Sequence, residues 1–303
     1  MGKLEDMALI VEVAETGGLS AAGRRMSLSP ASMTARLKAI EERYQTRFFH
    51  RSTRAITLTK AGEDFYLAAL RVLNEVRYAE SLLIQKEGIL SGNLRLSAPS
   101  DFGRHYVSPA VLDFSRHHPD VKIFVYLGER VEDLIANRLD LSIRFGNLPD
   151  SSLIVRKIAP NYRVLVASEN YIQSSGMPST PESLHDHRCL VLELGNVIQN
   201  EWRFEKKGVR SSIRVSPAMI CDDGALLREW VLDGAGIACK SWWDVKKEVE
   251  QGVLHVLFAE SFLGFSRSDQ KNVGLQFVYP QRKFQPLQVT AFSEFFISWL
   301  NKG

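Results

Sequence analysis

Apolar positions in the first forty-five residues recur at the spacing of short helices. One amphipathic helix is predicted over residues 3–15, ended by Gly17-Gly18, on the basis of apolar side chains at Leu4, Met7, Ala8, Val11 and Ala14. Ser20 is expected to cap a second helix and Ser29-Pro30 to start a third, because an N-cap serine bonds a free amide and proline at the first position lacks one. The short link at residues 26–28 has the length of a helix-turn-helix turn.

The third predicted helix has two distinct faces. One face is an apolar stripe formed by Met33, Leu37, Ile40 and Tyr44. The opposite face carries small, hydroxylated and basic side chains, namely Ala31, Ser32, Thr34, Ala35, Arg36 and Lys38. Small side chains permit close approach to base edges, and the two basic residues can reach phosphate or guanine. We therefore expect residues 30–43 to lie in the major groove of double-stranded DNA, with Ser20, Ser29 and Pro30 also on the DNA-binding surface.

A basic turn follows the helix-turn-helix. The sequence HRSTR at residues 50–54 leads into residues 55–58, whose alternation predicts a short strand. This arrangement predicts a wing, on which Arg51 and Arg54 meet backbone phosphate or a minor groove.

Positive charge is concentrated in this region. Between Arg24 and Lys60 nine basic residues face only Glu41 and Glu42, although the whole chain has a net charge of +3. A basic module attached to a near-neutral body is typical of a protein that binds a polyanion.

A long helix is predicted from Thr59 onward. Its apolar residues alternate at steps of four and three, at Phe65, Ala69, Val72, Val76, Ala79 and Leu83. Such a heptad seam favours the pairing of two helices, and a dimer places two recognition helices one DNA turn apart on an inverted repeat. The alternative is an ordinary surface helix that packs onto its own domain.

Beyond Gly88–Asn93, where glycines break the helix, the pattern changes to strands that alternate with helices. This alternation predicts an α/β body with a mainly parallel sheet. The predicted strands are residues 93–98, 121–127, 139–144, 163–167, 189–194, 236–239, 253–258 and 274–279, with a hairpin at 201–215. The predicted helices are residues 104–117, 131–137, 225–233, 242–250 and 286–301.

Composition narrows the class of protein. A chain of 303 residues with 45% hydrophobic residues is expected to form two or three domains. The sequence has no apolar run long enough to span a bilayer, and its three cysteines lack a metal or redox spacing. We therefore expect a cytoplasmic protein with no membrane anchor.

The sequence resembles the LysR-type transcriptional regulators along its whole length. The N-terminal resemblance is carried by VAETGGLSAAGRRMSLSPASMTARLKAIEERY and FFHRSTRAITLTKAG. That of the body is carried by SGNLRLSAPSDFGRHYVSPAVLDFSRHHPDVKIFVYL, RLDLSIRFGNLPDSSL, WVLDGAGIACKSWW and GVLHVLFAE. The chain departs from the usual pattern at Thr34, Ala35 and Ile40, and at Lys240-Ser241, where a proline often stands.

The resemblance implies an all-α winged helix-turn-helix over residues 1–62, a linker and dimerisation helix over 63–90 and an effector-binding domain over 91–303. That domain is expected to resemble periplasmic binding proteins, with two α/β subdomains around a cleft. Their expected limits are about 91–161 with 269–303, and about 162–268.

The implied function is a transcriptional regulator that binds an interrupted inverted repeat in promoter DNA and responds to a small-molecule effector. It would act as a homodimer or homotetramer, with RNA polymerase as a further partner to consider.

The effector site can be located by a topological rule. In open α/β sheets, ligands gather at the carboxyl ends of strands and at helix N-termini. This rule selects a set of strand-end positions: Ser100, Asp101, Phe102, Gly128, Glu129, Arg130, Arg144, Phe145, Gly146, Leu194, Gly195 and Asp223. Ser100 matches the position where the resembled family carries a Ser or Thr facing the effector. Arg144 can bind a carboxylate bidentately, which suggests an organic acid, although it can alternatively form a structural pair with Asp140 or Asp101.

Two other classes of protein remain as alternatives: an enzyme with an α/β catalytic body behind a DNA-binding module, and a nonspecific architectural DNA-binding protein. The sequence contains no Gly-x-Ser-x-Gly motif and no phosphate loop, and its histidine pairs lack metal-ligand spacing. We therefore predict no catalytic residues, no metal and no cofactor. The long body argues against the architectural class.

Overall fold

The computed structural model describes residues 2–51, 56–84, 89–129, 134, 137, 139–146, 153–264, 274–280 and 285–302. The chain divides into two compact units, Met1–Gly88 and Ile89–Gly303. Among the described residues, no helix is both long and apolar enough to cross a membrane.

The first unit is a helix-turn-helix followed by a hairpin and a long helix. Its elements are α1 (Lys3–Thr16), α2 (Leu19–Arg25), α3 (Pro30–Tyr44), β1 (Phe49–Arg51), β2 (Ile56–Leu58) and α4 (Lys60–Ile84). Its core consists of Leu9, Ile10, Val13, Ala22, Met33, Leu37, Ile40, Phe48 and Phe49. It contains three of the four residues predicted for the stripe of α3, but α1 contributes Leu9, Ile10 and Val13 instead of its predicted positions, and Leu4 is exposed. The predicted first helix and helix-turn-helix are confirmed.

A tight turn brings α2 and α3 together. The amide of Leu28 donates to the carbonyl of Gly23 at 2.8 Å, and Ser27 between them has a left-handed φ of 57°. A Cβ atom on Gly23 would lie 2.7 Å from the Leu28 carbonyl oxygen. Only glycine therefore fits where the two helices meet.

The predicted capping role of Ser20 is wrong. Gly18, in an extended conformation, is the N-cap of α2, and Ser20 lies exposed in the first turn. The glycine pair both ends α1, where Gly17 has a φ of 66°, and starts α2. The serine therefore comes two residues too late to cap.

The heptad positions of α4 fall into two groups, one that packs inside the unit and one that is largely exposed. The Phe65 ring contacts Tyr44 and Phe48, and Ala69 is fully buried in a small cluster with Val11. These two positions therefore pack inside their own unit, as an ordinary surface helix would, and cannot also face a second subunit. Val72 and Ala79 are exposed and Val76 is half-buried, while the side chain of Leu83 lies outside the described residues.

The second unit contains strands β3 (Gly92–Ala98), β4 (Val121–Leu127), β5 (Leu141–Phe145), β6 (Leu153–Ala159), β7 (Arg163–Ser168), β8 (Cys189–Leu194), β9 (Val197–Ile198), β10 (Glu201–Lys206), β11 (Val209–Arg214), β12 (Pro217–Cys221), β13 (Ile237–Ser241), β14 (Leu254–Leu257), β15 (Phe262–Gly264) and β16 (Leu275–Pro280). Its helices are α5 (Ser100–Phe102), α6 (Ser108–His117), α7 (Glu169–Ser175), α8 (Gly224–Leu232), α9 (Trp242–Glu250) and α10 (Leu287–Leu300). A π-helical turn, Gly103–Val107, joins α5 directly to α6, and Pro181–Asp186 forms a 3₁₀ turn.

Two larger sheets define two subdomains. The first subdomain is built on the order β4-β3-β5-β16-β6, and the second on β12-β8-β13-β7-β14 with β9 beside β8. The expectation of mainly parallel sheets is confirmed in strand direction, because four of the five strands along each path run the same way and one is reversed. In the first sheet β16 runs antiparallel to both of its neighbours, and in the second β7 does the same. Each sheet is therefore mixed, although the α/β class is confirmed.

Both sheets are covered by helices. The first packs against α6 and α10 around buried aromatic residues that include Phe114, Phe292 and Phe296. The second buries both faces, because Val164 and Val166 point towards α8 and α9 while Leu165 points towards the small sheet β11-β10-β15.

Several element limits differ from the prediction. The helix expected from Arg104 begins at Ser100, and β6, α7, β12 and β15 were not predicted. The helix expected at residues 131–137 falls almost entirely outside the described residues.

Candidate nucleic-acid interface and effector cleft

The first turn of α3 is fixed by hydrogen bonds within the helix itself. Ser29 accepts a hydrogen bond from the amide of Ser32 at 3.2 Å, and Pro30 occupies the first helical position, as the sequence predicts. The hydroxyl of Thr34 donates to the Pro30 carbonyl at 2.9 Å. Local bonds therefore fix this surface in the unbound protein.

The predicted recognition face lies on the outside of the unit. Ala31, Thr34, Ala35 and Lys38 are exposed, while Ser32 and Arg36 are half-buried. Together they form one surface of small, hydroxyl and basic side chains that can enter a groove.

Some nearby charges already have partners. Arg43 pairs with Asp6, which is fully buried, and so joins the end of α3 to α1. Arg25 pairs with Glu12 at 3.0 Å, whereas the contact of Lys38 with Glu42 is exposed and 3.6 Å long. Exposed pairs of this kind contribute little stability, so Lys38 can exchange Glu42 for phosphate.

The predicted wing is only partly described. Residues 49–51 pair in antiparallel register with residues 56–58, which confirms the strand expected after the basic turn. The side chain of Arg51 and the whole of Arg54 lie outside the described residues, so their DNA contacts stay a prediction.

The two subdomains of the second unit enclose a cleft of about 750 Å³. The first subdomain contributes Pro99, Glu129, Arg144 and Phe145. The second contributes Arg163, Leu192, Leu194, Gly195, Asn196, Gly224, Leu227, Cys239, Lys240, Ser241 and Asp244. Its lining combines apolar side chains with several charged ones, a composition typical of sites for small polar molecules.

Beside the lining residues Glu129 and Gly224, polar groups from both subdomains converge on Ser100, which is itself buried. Its amide and hydroxyl donate to Glu129 Oε1 at 3.0 and 2.7 Å, and the hydroxyl also lies 3.0 Å from Asp223 Oδ1. The amide of Gly224 donates to the same Glu129 oxygen at 3.2 Å. Asp223 caps α8 by accepting from the amides of Ala225 and Leu226. Burial raises the pKa of Asp223, but these amides and the Ser100 hydroxyl outweigh it and lower the pKa overall.

A buried ammonium group holds the subdomains together beside Ser100. Lys240 Nζ lies 2.6 Å from Asp101 Oδ2, 2.6 Å from the Gly224 carbonyl and 3.3 Å from Asp244 Oδ2. Burial favours the neutral amine, but Asp244 and Asp101 outweigh it and raise the pKa of Lys240. Asp101 therefore serves a structural ion pair with Lys240.

The two carboxylates around Lys240 differ in acidity. Burial raises the pKa of Asp101, yet bonds from His105 and Lys240 outweigh it and keep the pKa below its usual range. Burial raises the pKa of Asp244 to about 6, because Lys240 compensates only in part and Asp101 adds like charge. One ammonium group therefore serves two carboxylates, and Asp244 is the one that takes up a proton first as pH falls towards 6.

Arg144 lines the cleft but also braces the first sheet. It is buried, and its guanidinium donates to the Gly128 carbonyl at 3.1 Å and to the Ser97 hydroxyl at 3.2 Å. Of the predicted effector residues, Arg144 therefore lies on the cleft wall, and Gly128 orients it.

Phe102 does not face the cleft. It is completely buried in the first core, stacked on Tyr106 and edge-on to Phe145 and Trp243. The prediction is wrong because the helix begins at Ser100, which turns the third residue towards the sheet.

Two further predicted positions are described. Gly146 has a φ of 104° and accepts a hydrogen bond from Gln276, so it forms a turn beside the first sheet. Gly128 donates its amide to the Ala98 carbonyl at 3.0 Å. Arg130 lies outside the described residues.

The effector-site prediction from sequence included Glu129 but omitted four other residues of the cleft wall. Lys240, Asp244, Arg163 and Gly224 line the cleft without having been chosen. A signal was present, because Lys240 is a charge inside the apolar strand sequence IACKS and departs from the resembled pattern at that position. A buried lysine in a strand requires an acidic partner.

A metal site needs several ligating side chains in one place. Within the described ranges, no group of three or more His, Cys, Asp or Glu residues is arranged to hold a metal ion. The thiols of Cys189 and Cys239 are buried, and burial raises their pKa to about 12 and about 11.

Comparison with known proteins covers both units. Residues 4–63 match the family described as bacterial regulatory helix-turn-helix protein, lysR family, and residues 87–301 match the LysR substrate binding domain. The chain is 32% identical over 259 residues to the HTH-type transcriptional regulator DmlR of Escherichia coli K12, covering 86% of this chain and 84% of that protein. It is 26% identical to the HTH-type transcriptional activator TtdR of the same strain, covering 97% and 93% of the two chains.

The fold is also similar to a solved full-length structure. CrgA, a LysR-type transcriptional regulator from Neisseria meningitidis, matches with a TM-score of 0.63 and 26% sequence identity, covering 98% of each chain.

Proposed function

The chain belongs to the LysR-type transcriptional regulators, and from this premise we propose that it binds an interrupted inverted repeat through α3 and the wing, and that its effector is a small organic acid. Regulators of this family bind DNA and small-molecule effectors and form oligomers. The proposal concerns the residues that make these contacts here and the chemical class of the effector.

The exposed face of α3 supports the DNA contact. Its N-terminus carries a local cap at Ser29, and small side chains at Ala31, Thr34 and Ala35 leave room for base edges. Arg36 and Lys38 follow on the same face and supply charge for phosphate or guanine.

The apolar positions beyond Ala69 support pairing of two subunits. Val72 and Ala79 are exposed on α4 at heptad spacing, with half-buried Val76 between them. A seam of this kind is stable when a second helix covers it. Phe65 and Ala69 are left out of the proposed surface because they pack inside their own unit.

The chemistry of the cleft supports an acidic effector. Arg144 and Arg163 line it, and the first amides of α5 and α8 point at a carboxylate oxygen of Glu129. Guanidinium groups and helix N-termini both favour anions. The observation that carries the proposal is that these amides already bind a carboxylate.

The DNA contact is tested by altering the spacing of the half-sites. An operator is first selected from random-sequence duplexes, and base pairs are then inserted between its two halves. Five added base pairs rotate the half-sites to opposite faces of the DNA, so affinity should fall at least tenfold, while ten should restore much of it. Binding that ignores both insertions would contradict the proposal, because an architectural protein reads no such spacing.

The effector class is tested by thermal unfolding of the full chain with small mono- and dicarboxylic acids. Each acid is compared with its uncharged amide at equal ionic strength. At least one acid should raise Tm by several degrees while its amide does not, because a ligand that binds only the folded state stabilises it. If amides, sugars or amines raise Tm and no acid does, the proposed class is wrong.

A further inference from the structure

One carboxylate of the chain already occupies the polar end of the cleft. Glu129 Oε1 accepts three hydrogen bonds, from the Ser100 amide at 3.0 Å, the Ser100 hydroxyl at 2.7 Å and the Gly224 amide at 3.2 Å. We call these three donors the carboxylate cradle. They come from two subdomains, so Glu129 joins both walls of the cleft.

The cradle is suited to a carboxylate and fits one closely. Both amides belong to first turns of helices, where the backbone leaves N–H groups without a carbonyl partner. Bonds from such groups to an ionised oxygen are stronger than neutral ones. A Cβ atom on Gly224 would lie only 2.9 Å from Glu129 Oε1, so a larger residue there would require the Glu129 carboxylate to shift.

Glu129 lines the cleft and is only half-buried, so it does not belong to a hydrophobic core. Its side chain is half-buried and lines the 750 Å³ cavity together with Arg144 and Lys240. By contrast, the Asp101–Lys240 pair is almost completely buried, with both side chains at most 3% exposed. A molecule in the cleft can therefore reach the oxygen of Glu129 but cannot reach that of Asp101.

We propose that Glu129 is an internal ligand, whose carboxylate holds the cradle until the carboxylate of the effector replaces it. The inference rests on the proposed acidic effector and adds how the site behaves without it. Replacement exchanges one carboxylate for another, so the three donors stay bonded in both states. Glu129 is tethered to the chain, and its high effective concentration makes the wild-type protein respond only to acids that bind strongly enough to displace it.

The test is rescue of a Glu129→Ala full-length chain by acetate, the smallest carboxylate that can fill the vacated cradle. Thermal unfolding is followed in sodium acetate and in sodium chloride of equal ionic strength. At about 50 mM, acetate should raise Tm of the variant by about 3 °C and that of the wild type by less than about 1 °C. Equal shifts in the two proteins, or none in either, would overturn the inference.

Two further variants separate the cradle from general effects. Glu193→Ala removes a carboxylate that lines a neighbouring cavity of about 350 Å³ together with Glu129, and it should respond to acetate as the wild type does. Glu129→Gln preserves the size and one acceptor oxygen but not the charge, so its acetate response should lie between those of the wild type and Glu129→Ala. A Gln variant that responds no more than the wild type would count against displacement, even if the Ala variant fails to fold.

The two proposals can fail separately. Rescue by acetate with no acid response in the wild-type panel would support the internal ligand and reject the acidic effector. An acid that stabilises the wild type, together with no acetate rescue, would reject the internal ligand alone. An acid effector identified in the panel should bind Glu129→Ala about tenfold more tightly than wild type, because the competitor is gone.

Discussion

The two candidate sites both begin at helix N-termini, yet they satisfy those termini in opposite ways. In α3 the cap is Ser29, whose hydroxyl accepts a hydrogen bond from the amide of Ser32, three residues later in the chain. The recognition face that follows Ser29 on α3 is mostly exposed. In the cleft, the amide of Ser100 donates to Glu129, and that of Gly224, at the start of α8, donates to the same oxygen. The first site is complete before its ligand arrives, whereas in the second a side chain of the chain stands in for a ligand.

Because of this difference, substitutions in the two sites should have different effects, on binding in one and on folding in the other. Side chains on the α3 face have few intramolecular bonds to lose, so their removal should alter DNA affinity and little else. Side chains of the cleft hold two subdomains together, so their removal should alter stability before it alters effector affinity. Substitutions at three places test this contrast.

Replacing Lys240 by Met should have the largest effect. The substitution leaves Asp101 and Asp244 without the ammonium group that lies 2.6 and 3.3 Å from them. Breaking a buried pair costs about 3 kcal/mol, which is a Tm loss of roughly 9 °C in a domain of this size. Calorimetry of the full chain measures this loss of Tm.

The control is Lys246→Met, which removes a lysine whose 3.9 Å pair with Glu250 is exposed. This substitution should change Tm by less than about 2 °C. Similar losses of Tm in the two variants would show that the buried ion pairs of Lys240 stabilise the protein no more than an exposed pair does.

On the α3 face, the double variant Arg36→Ala, Lys38→Ala should weaken specific DNA binding by about tenfold or more while Tm stays unchanged. The slope of log K against log salt should also decrease by roughly 0.9 for each phosphate that the variant no longer neutralises. Fluorescence anisotropy on the selected operator gives both quantities, with Lys246→Ala as a variant that leaves them unaltered. A Tm loss that parallels the loss of affinity would mean that this face is structural and would remove the contrast.

Asp244 should make stability depend on pH in an unusual direction. Its pKa is about 6 in the folded protein against an ordinary value of 3.8, because burial and Asp101 oppose its charge more than Lys240 supports it. The folded state therefore holds a proton that the unfolded state releases, so stability falls as pH rises from about 4 to 6 and stays reduced above 6. Glu129 contributes further like charge.

Asp244→Asn removes this dependence. The Tm of this variant should match that of the wild type near pH 4 and exceed it by about 2 °C at pH 7.5. The gain is smaller than the pKa difference alone predicts, because an amide binds Lys240 more weakly than a carboxylate does. Unfolding curves across this pH range measure the gap, and Asp222→Asn at an exposed position provides the comparison. A gap that widens towards low pH would contradict a raised pKa of Asp244 in the folded protein.

The helix-turn-helix could be predicted because the groups that decide it are neighbours in the sequence. Ser29, Pro30 and the apolar stripe of α3 fix its start and its buried face within one short segment. The error at Ser20 is instructive, because two adjacent glycines offered two helix boundaries and the sequence pattern does not show which residue becomes the cap.

The cleft could be predicted only in outline, because its bonds join residues far apart in the chain. Ser100 and Glu129 are 29 residues apart, Ser100 and Asp223 are 123 apart, and Lys240 and Asp101 are 139 apart. The strand-end rule selected Arg144, which lines the cleft, and Ser100 and Asp223, which lie beside its lining residues Glu129 and Gly224. It could not distinguish Asp101, which is committed to Lys240, or Phe102, which belongs to the core, because those roles depend on where the helix starts.

The position of β16 has a consequence for synthesis of the protein. This strand, Leu275–Pro280, lies between β5 and β6 in the first sheet, although it follows them by more than a hundred residues. The second sheet uses only strands from β7 to β14 and can therefore form while the first still lacks its fourth strand. On the ribosome, the second subdomain should become resistant to protease earlier than the first, whose completion waits for long-range pairing near the end of translation. The wall of the cleft that carries Arg144 would thus be the last to form.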